Sequence, residues 1–194
     1  MENQAFEMLS RLLKSDRSVR RFKEDETVTA DTLSTLVNLT RYCGSGRNLQ
    51  PLRYRLVTDT AEKEAIFPKL AWAGYLTDWA GPEAGERPAA YLVQCLDTSL
   101  SQNCLCDDGL QLQAITLGAT AMGLGCCIIK AFNATCVAEA LALAPHLQPR
   151  YVLALGYPAE KVEIEDMTDD YKYYRTADGI HHVPKRTLKE LIVK

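Results

Sequence analysis

The chain contains seven cysteines, whose thiols could act as nucleophiles, redox groups or metal ligands. Cys104 and Cys106 are separated by one residue, and Cys126 and Cys127 are adjacent. Neither spacing matches the Cys-x-x-Cys clamps that bind metals or exchange disulfides, and an odd number of cysteines cannot all pair. We therefore expect the cysteines to be small buried hydrophobic residues. A thiol or metal module is the less favoured alternative.

The three histidines, His146, His181 and His182, lack the spacing to acids or thiols that a metal site or a nucleophile–base pair requires. We expect them in exposed loops. No Gly-rich turn ends in Lys-Ser or Lys-Thr, and the turn at residues 44–46 does not continue into a dinucleotide-binding fingerprint. The sequence therefore indicates no hydrolase, no metal site and no catalytic acid or base.

Cationic, amide and hydroxyl side chains are instead concentrated in three loops. Residues 16–22 read Asp-Arg-Ser-Val-Arg-Arg-Phe, residues 45–51 read Ser-Gly-Arg-Asn-Leu-Gln-Pro, and residues 183–186 read Val-Pro-Lys-Arg. Taken one at a time, each is typical of a solvated charged loop, where single charges contribute little. The order of these loops along the chain, however, favours a shared function over three separate solvated loops.

Four motifs follow one another: Arg-Ser-x-Arg-x-Phe at residues 17–22, Asn-x-Gln-Pro at 48–51, Gly-Leu-Gly at 123–125 and Leu-Gly-Tyr-Pro at 155–158. Together they resemble the FMN-dependent nitroreductase family, over a region from about Phe6 to Leu191. Residues 72–75 and 85–91 are similar to a subgroup of small members. The resemblance implies an α+β fold with a central mixed β-sheet flanked by helices, and a homodimer with two FMN molecules at its interface.

The resemblance also assigns the phosphate side of the flavin to Arg17, Ser18, Lys185 and Arg186. Arginine binds a phosphate dianion with two parallel hydrogen bonds, and lysine and hydroxyl groups add donors. Many family members carry a second arginine where this chain has Asp16. We expect Arg17 to supply that contact alone or with help from Arg21.

Arg20 matches the family's cation beside the pyrimidine edge of the flavin. A positive charge there stabilises the negative charge that reduction places on the ring. Further cofactor-binding positions match an amide loop that reaches the partner subunit's flavin, and an extended segment beside the reactive nitrogen. The loop residues are Ser45, Gly46, Asn48 and Gln50, and the segment residues are Ile129, Lys130 and Ala131.

The reaction that the resemblance implies is a ping-pong hydride transfer. NAD(P)H reduces FMN and leaves, and an electron-poor small molecule such as a nitroaromatic compound or a quinone then takes the electrons. A non-catalytic flavin-binding or redox-sensing protein is the alternative. Trp72, Tyr75 and Trp79 either cover the flavin as a lid or pack at the edge of the domain.

The elements that must position these residues follow from hydrophobic periodicity and capping signals. Helices are predicted over residues 3–15, from the Thr29 cap to the turn at 44–46, over 61–70, and from the Asn133 cap to Leu143. A central helix starts at Asp107, with an apolar stripe at Leu110, Ala114, Leu117, Ala121 and Leu124. Strands are predicted over 53–58, 89–96, 126–132 and 151–155, and the six acids of residues 160–170 predict a solvated connector.

Composition, with 47% hydrophobic and 24% charged residues, agrees with an ordinary soluble domain. The 194 residues carry a net charge of −3, which disfavours nucleic acid as a partner, and we expect one domain over residues 1–194. The N-terminal residues lack the pattern of an export signal, so we expect a reducing cytoplasm. Residues 109–129 are uncharged, but their glycines favour a buried helix and turn over a membrane span.

Overall fold

A computed structural model describes residues 3–193 of the chain. Six helices lie at α1 (Gln4–Ser15), α2 (Ala30–Leu39), α3 (Thr60–Ile66), α4 (Asp107–Ala121), α5 (Ala134–Ala140) and α6 (Leu188–Leu191). Seven strands lie at β1 (Leu52–Val57), β2 (Ala90–Asp97), β3 (Gly125–Ile129), β4 (Leu147–Gly156), β5 (Val162–Asp166), β6 (Tyr174–Arg175) and β7 (His181–Lys185). The order of helices and strands confirms the α+β class.

The central sheet has the strand order β1-β2-β4-β3, and its neighbouring strands pair antiparallel. Its parallel component is a bridge between Ser18 and Cys126, which joins the loop after α1 to the edge strand β3. The expected mixed sheet flanked by helices is therefore confirmed. Every residue of β2 is buried, because both faces of this strand are covered.

The predicted helix starts are confirmed at two caps. The Thr29 hydroxyl accepts a hydrogen bond from the backbone N–H of Thr32, and the Asn133 side chain accepts one from Cys136. Helix α5 ends at Ala140, three residues before the predicted end. Strand β3 is likewise shorter than predicted, since it ends at Ile129.

The central helix forms where predicted, but the prediction of its buried face was wrong. Leu110 is half exposed, whereas Leu112, Ile115 and Ala119 are buried. Apolar residues occupy both sides of α4, so periodicity alone could not identify the side that faces the sheet. Among residues 3–193, no helix is long and apolar enough to cross a membrane.

The prediction of a solvated connector at residues 160–170 was also wrong, because its middle, Val162–Asp166, is a strand. Strand β5 pairs parallel to β7, which pairs antiparallel to β6, and the three form a second sheet. Two of the three acids of β5 are accommodated by pairing, since Glu163 contacts Lys161 and Glu165 contacts His182. Composition predicted a loop because it counts the acids without their ion partners. These partners are Lys161, just before the strand, and His182 on β7.

The core fills both faces of the central sheet. One cluster of buried residues includes Phe22, Val93 and Val152, and the other includes Leu36, Ile115 and Leu153. Phe22 is fully buried and lies against Gly156, where an added Cβ would be 2.9 Å from its ring. This close packing fixes the end of the loop that follows α1, and so helps to position residues 16–21.

Candidate functional site

A cavity of about 300 Å³ lies between the loop after α1, helix α4, strand β3 and strand β7. We call it the cationic cavity. Its lining residues are Asp16, Arg17, Ser18, Arg20, Gln113, Thr116, Cys126, Ile128, Tyr173, His181, Val183 and Lys185. Three of the four residues predicted for the phosphate side thus lie together, although they come from opposite ends of the described chain.

The cations of this cavity have no carboxylate partner. Arg17, Arg20 and Lys185 form no ion pair with any residue of the described range 3–193, whereas the neighbouring Arg21 and Arg186 each do. The buried Nε of Arg17 also lacks a hydrogen-bond acceptor there. Unpaired cations that converge on one concave surface favour an anionic ligand.

Asp16 is the one acid that lines the cationic cavity, and helix α4 holds its carboxylate. One carboxylate oxygen accepts hydrogen bonds from the Gln113 amide at 2.6 Å and the Thr116 hydroxyl at 2.7 Å. Asp16 therefore fastens the loop to α4 and forms no ion pair with Arg17. Arg21 does not line the cationic cavity, and its Nε pairs with Glu86 at 3.2 Å.

Arg20 is nearly buried, and the groups that contact its guanidinium are neutral. Its Nη1 donates to the Ser18 carbonyl at 3.3 Å and contacts the His181 Nε2 at 3.1 Å. Its guanidinium carbon lies 4.7 Å from the centre of the Tyr173 ring. The positive charge is thus held in place without being neutralised.

His181 is fully buried and His182 is half-buried on β7, so the expectation of exposed loop histidines was wrong for both, while His146 is exposed as predicted. Burial, reinforced by the nearby Arg20, lowers the pKa of His181 to about 4. The imidazole is therefore neutral near pH 7. Because arginine can only donate, Nε2 must be the acceptor and the proton must lie on Nδ1, which has no partner among the described residues.

Glu160 connects the cationic loop to the second sheet. One of its carboxylate oxygens accepts from the backbone N–H groups of Arg20 at 2.5 Å and Arg21 at 3.2 Å, and the other accepts from Arg175 at 2.8 Å. The Glu160 side chain is 1% exposed. Arg175 and Arg21 lie beside the Trp79 ring, so the irregular segment 72–88 joins the same network.

The predicted amide loop lies at a second cavity of about 460 Å³, which we call the amide cavity. Asn48 and Gln50 line it, together with residues of α2 and β1. Ser45 and Gly46 do not line it but anchor the loop, since the Ser45 hydroxyl and the Gly46 N–H donate to the buried Asp107 carboxylate at 2.6 and 2.9 Å. Asp107, predicted only as a helix-start acid, therefore fixes the loop.

The remaining predicted positions lie outside the lining of both cavities. Ile129 is buried in the core, the Lys130 Nζ donates to the Arg150 carbonyl, and the Ala131 carbonyl accepts from Ala71. Arg186 pairs with Glu190 at 3.4 Å on the exposed start of α6. Their roles toward a cofactor remain predictions. On β3 it is Ile128, not Ile129, whose side chain faces the cationic cavity, because strand residues alternate.

The candidate lid residues differ from one another. Trp72 packs in the core, Trp79 lies between Arg21 and Arg175, and Tyr75 is half exposed. Tyr75 lies 4.9 Å from the Tyr173 ring, and Tyr173 in turn contacts Arg20. Tyr75 is thus linked to the cationic cavity by its contact with Tyr173, which lines that cavity.

The seven cysteines are all free thiols. Cys95, Cys104, Cys126 and Cys127 are buried as predicted, whereas Cys106 is exposed. Burial raises the pKa of Cys126 and of Cys127, which keeps both as neutral thiols. Among residues 3–193, no group of three or more His, Cys, Asp or Glu side chains is placed to hold a metal ion.

Sequence reasoning missed Glu160, Tyr173 and His181. A signal for two of them was present, because Asp178-Gly179 is a typical hairpin turn and strands flanking it would place Tyr173 and His181 on one face. Glu160 had no comparable signal, since it begins an acidic run.

The chain is similar to known proteins in both sequence and structure. The nitroreductase family model matches residues 13–90 and 105–157. A proposed NADH dehydrogenase/NAD(P)H nitroreductase from Parabacteroides distasonis ATCC 8503 is 26% identical, with a TM-score of 0.65 over 88% of this chain and 94% of that chain. No curated protein gives a significant sequence match.

Two further structures share the fold at lower identity. One is an NADPH:FMN oxidoreductase from Vibrio harveyi complexed with NAD+, which is 22% identical, with a TM-score of 0.64 over 87% of this chain and 79% of that chain. The other is a proposed nitroreductase from Exiguobacterium sibiricum 255-15 in complex with FMN, which is 16% identical. Its TM-score is 0.64, and the match covers 78% of this chain and 88% of that chain.

The burial of neutral His181 predicts a specific acid sensitivity. An unfolded histidine binds its proton near pH 6.5, whereas folded His181 binds one only near pH 4, so the unfolded state gains protons first as the pH falls. The free energy of unfolding should decrease between pH 6.5 and 4, by up to about 1.4 kcal/mol per pH unit. His181→Gln should show a smaller decrease in parallel urea denaturation. Equal decreases in the two proteins would contradict the assignment.

Proposed function

The chain belongs to the nitroreductase family, and on that basis we propose that it is an FMN-dependent oxidoreductase that uses NAD(P)H to reduce an electron-poor small molecule. The observation that carries this proposal is the cationic cavity, where Arg17, Arg20 and Lys185 meet without a carboxylate partner. A flavin mononucleotide offers both a phosphate and a ring that becomes anionic on reduction. The residues present therefore fit this cofactor.

Bound FMN would supply the redox chemistry, since it accepts hydride from a reduced nicotinamide and passes electrons to an acceptor. The protein's part is binding and electrostatics. Arg17, Ser18 and Lys185 would hold the phosphate, because their guanidinium, hydroxyl and ammonium groups are suitable donors and all three residues line the cavity. Arg20 would lie at the pyrimidine edge, where its un-neutralised charge favours the reduced state.

The known structures support the same cofactors. The Vibrio harveyi enzyme that shares the fold is an NADPH:FMN oxidoreductase seen with NAD+, and the Exiguobacterium protein is seen with FMN. Nitroaromatic compounds and quinones are the acceptor classes that we propose, as electron-poor molecules able to take electrons from a reduced flavin. The side chains of the cationic cavity need not transfer a proton in this scheme, which agrees with the neutral state of His181.

We propose that the active form is a homodimer with FMN at the interface. Helix α1 has no buried residue, and its apolar side chains Phe6, Leu9 and Leu13 are all substantially exposed along one face. An amphipathic helix gains little stability until such a face is covered. The amide loop lines a different cavity from the cations, as a loop that contacts the partner subunit's cofactor would do.

The proposed activity is tested directly with purified protein. It should bind FMN without a covalent bond, and should oxidise NADH or NADPH when a quinone or nitroaromatic acceptor is added. Protein that does not bind FMN at micromolar concentration would contradict the proposal. Bound FMN without turnover for any acceptor would instead support a flavin-binding or redox-sensing protein.

The proposed dimer is tested by charging the apolar face of α1. Phe6→Glu with Leu13→Glu should convert the dimer to monomer in sedimentation velocity and should release FMN. Arg11→Glu changes the net charge by the same amount on the opposite face of the helix, and should leave the dimer intact. A parent protein that sediments as a flavin-bound monomer would contradict the dimer.

Arg17 and Arg20 should differ in how they affect the flavin. Arg17→Ala should weaken oxidised and reduced FMN about equally, because the phosphate charge does not change during turnover. Arg20→Ala should weaken reduced FMN more, by about 1.5–3 kcal/mol, which lowers the two-electron midpoint potential by about 30–65 mV. Redox titration measures both effects, and Arg55→Ala, whose arginine pairs with Glu62 outside the cavity, is the control. An unchanged potential in Arg20→Ala would contradict its assignment.

A further inference from the structure

Arg20 depends on contacts from the second sheet for its position. Strands β6 and β7 pair with Arg175 opposite His181 and Tyr174 opposite His182. Since side chains alternate along a strand, Arg175 and His181 share the inner face and the Tyr174–His182 pair lies on the outer face. Tyr173 packs against His181 at 5.1 Å, while Tyr174 stacks on His182 at 4.9 Å.

The inner face supplies two of the three contacts to the Arg20 guanidinium. Tyr173 covers one side of its plane at 4.7 Å, and the His181 Nε2 accepts from its Nη1 at 3.1 Å. The third contact is the backbone carbonyl of Ser18. All three partners are uncharged, since the buried His181 is neutral. The nearby Glu160 carboxylate does not contact the guanidinium of Arg20, because its oxygens accept from backbone N–H groups and from Arg175.

This arrangement has a functional consequence, because a carboxylate in the place of His181 would hold Arg20 equally well but would cancel its charge. A neutral acceptor orients the guanidinium and leaves the full positive charge directed at the cavity. We infer that His181 is a positioning residue, which holds Arg20 toward the flavin so that its charge stabilises reduced FMN more than oxidised FMN. This inference rests on the proposed function and adds to it a residue that acts only through Arg20.

The test compares the affinity for reduced FMN with that for oxidised FMN. Replacement of His181 by Leu or Phe removes the acceptor, and should lower the ratio of the two affinities by about three- to tenfold. His181→Gln retains an acceptor oxygen and should keep the ratio within about twofold of the parent. His182→Leu is the matched control, since the neighbouring histidine lies on the outer face, and should leave the ratio unchanged.

A double-mutant cycle separates positioning from general damage to the structure. If His181 acts through Arg20, then His181→Leu or His181→Phe should change the ratio by less than about twofold in an Arg20→Ala background. The ratio follows from the difference between the midpoint potentials of bound and free FMN, and the dissociation constant of oxidised FMN then gives that of reduced FMN. The potential of bound FMN and the dissociation constant of oxidised FMN are measured on protein whose folding is checked by circular dichroism, and the Phe variant is used if the Leu variant does not fold.

Four results would overturn the inference. One is an equal loss of affinity in both oxidation states, and another is an undiminished effect in the Arg20→Ala background, since each indicates a merely structural role. The third is a parent protein that binds no FMN, which would overturn the proposed function as well. FMN binding with an unchanged ratio in the His181 variants would overturn this inference alone.

Discussion

The buried carboxylate of Glu160 joins the two regions that form the cationic cavity. It accepts backbone N–H groups from the loop after α1 and the guanidinium of Arg175 from the second sheet. Removing one partner of a buried ion pair typically costs about 3–5 kcal/mol, because the other charge is left uncompensated. The positions of Arg20, Tyr173 and His181 all depend on this connection, since it holds β6 and β7 against the loop.

Charge in the site is arranged so that each acid has a structural task. Asp16 binds to α4, Asp107 anchors the amide loop and Glu160 joins the two regions, and each carboxylate accepts at least two hydrogen bonds. None of them forms an ion pair with Arg17, Arg20 or Lys185 in the described chain. The cations therefore remain available to a ligand, and the protein holds them together by neutral contacts and backbone geometry.

The sequence predicted the parts of the site that are encoded locally. Arg17, Ser18, Arg20 and Lys185 belong to short motifs, and the caps at Thr29 and Asn133 are set by neighbouring residues. The buried face of α4 and the strand β5 could not be predicted in the same way, because each depends on partners distant in the chain. His181 shows the difference most clearly, since its type suggests exposure and only the pairing of β7 with β6 makes it a buried acceptor.

The cationic cavity takes its wall from both ends of the described chain, with Arg17 and Arg20 before the first strand and His181 and Lys185 on the last. During synthesis on the ribosome, the early arginines leave the exit tunnel long before β7 exists. The cavity can therefore close only after β7 has been translated and has docked. A nascent chain that has not yet reached β7 therefore has no complete site to offer a ligand.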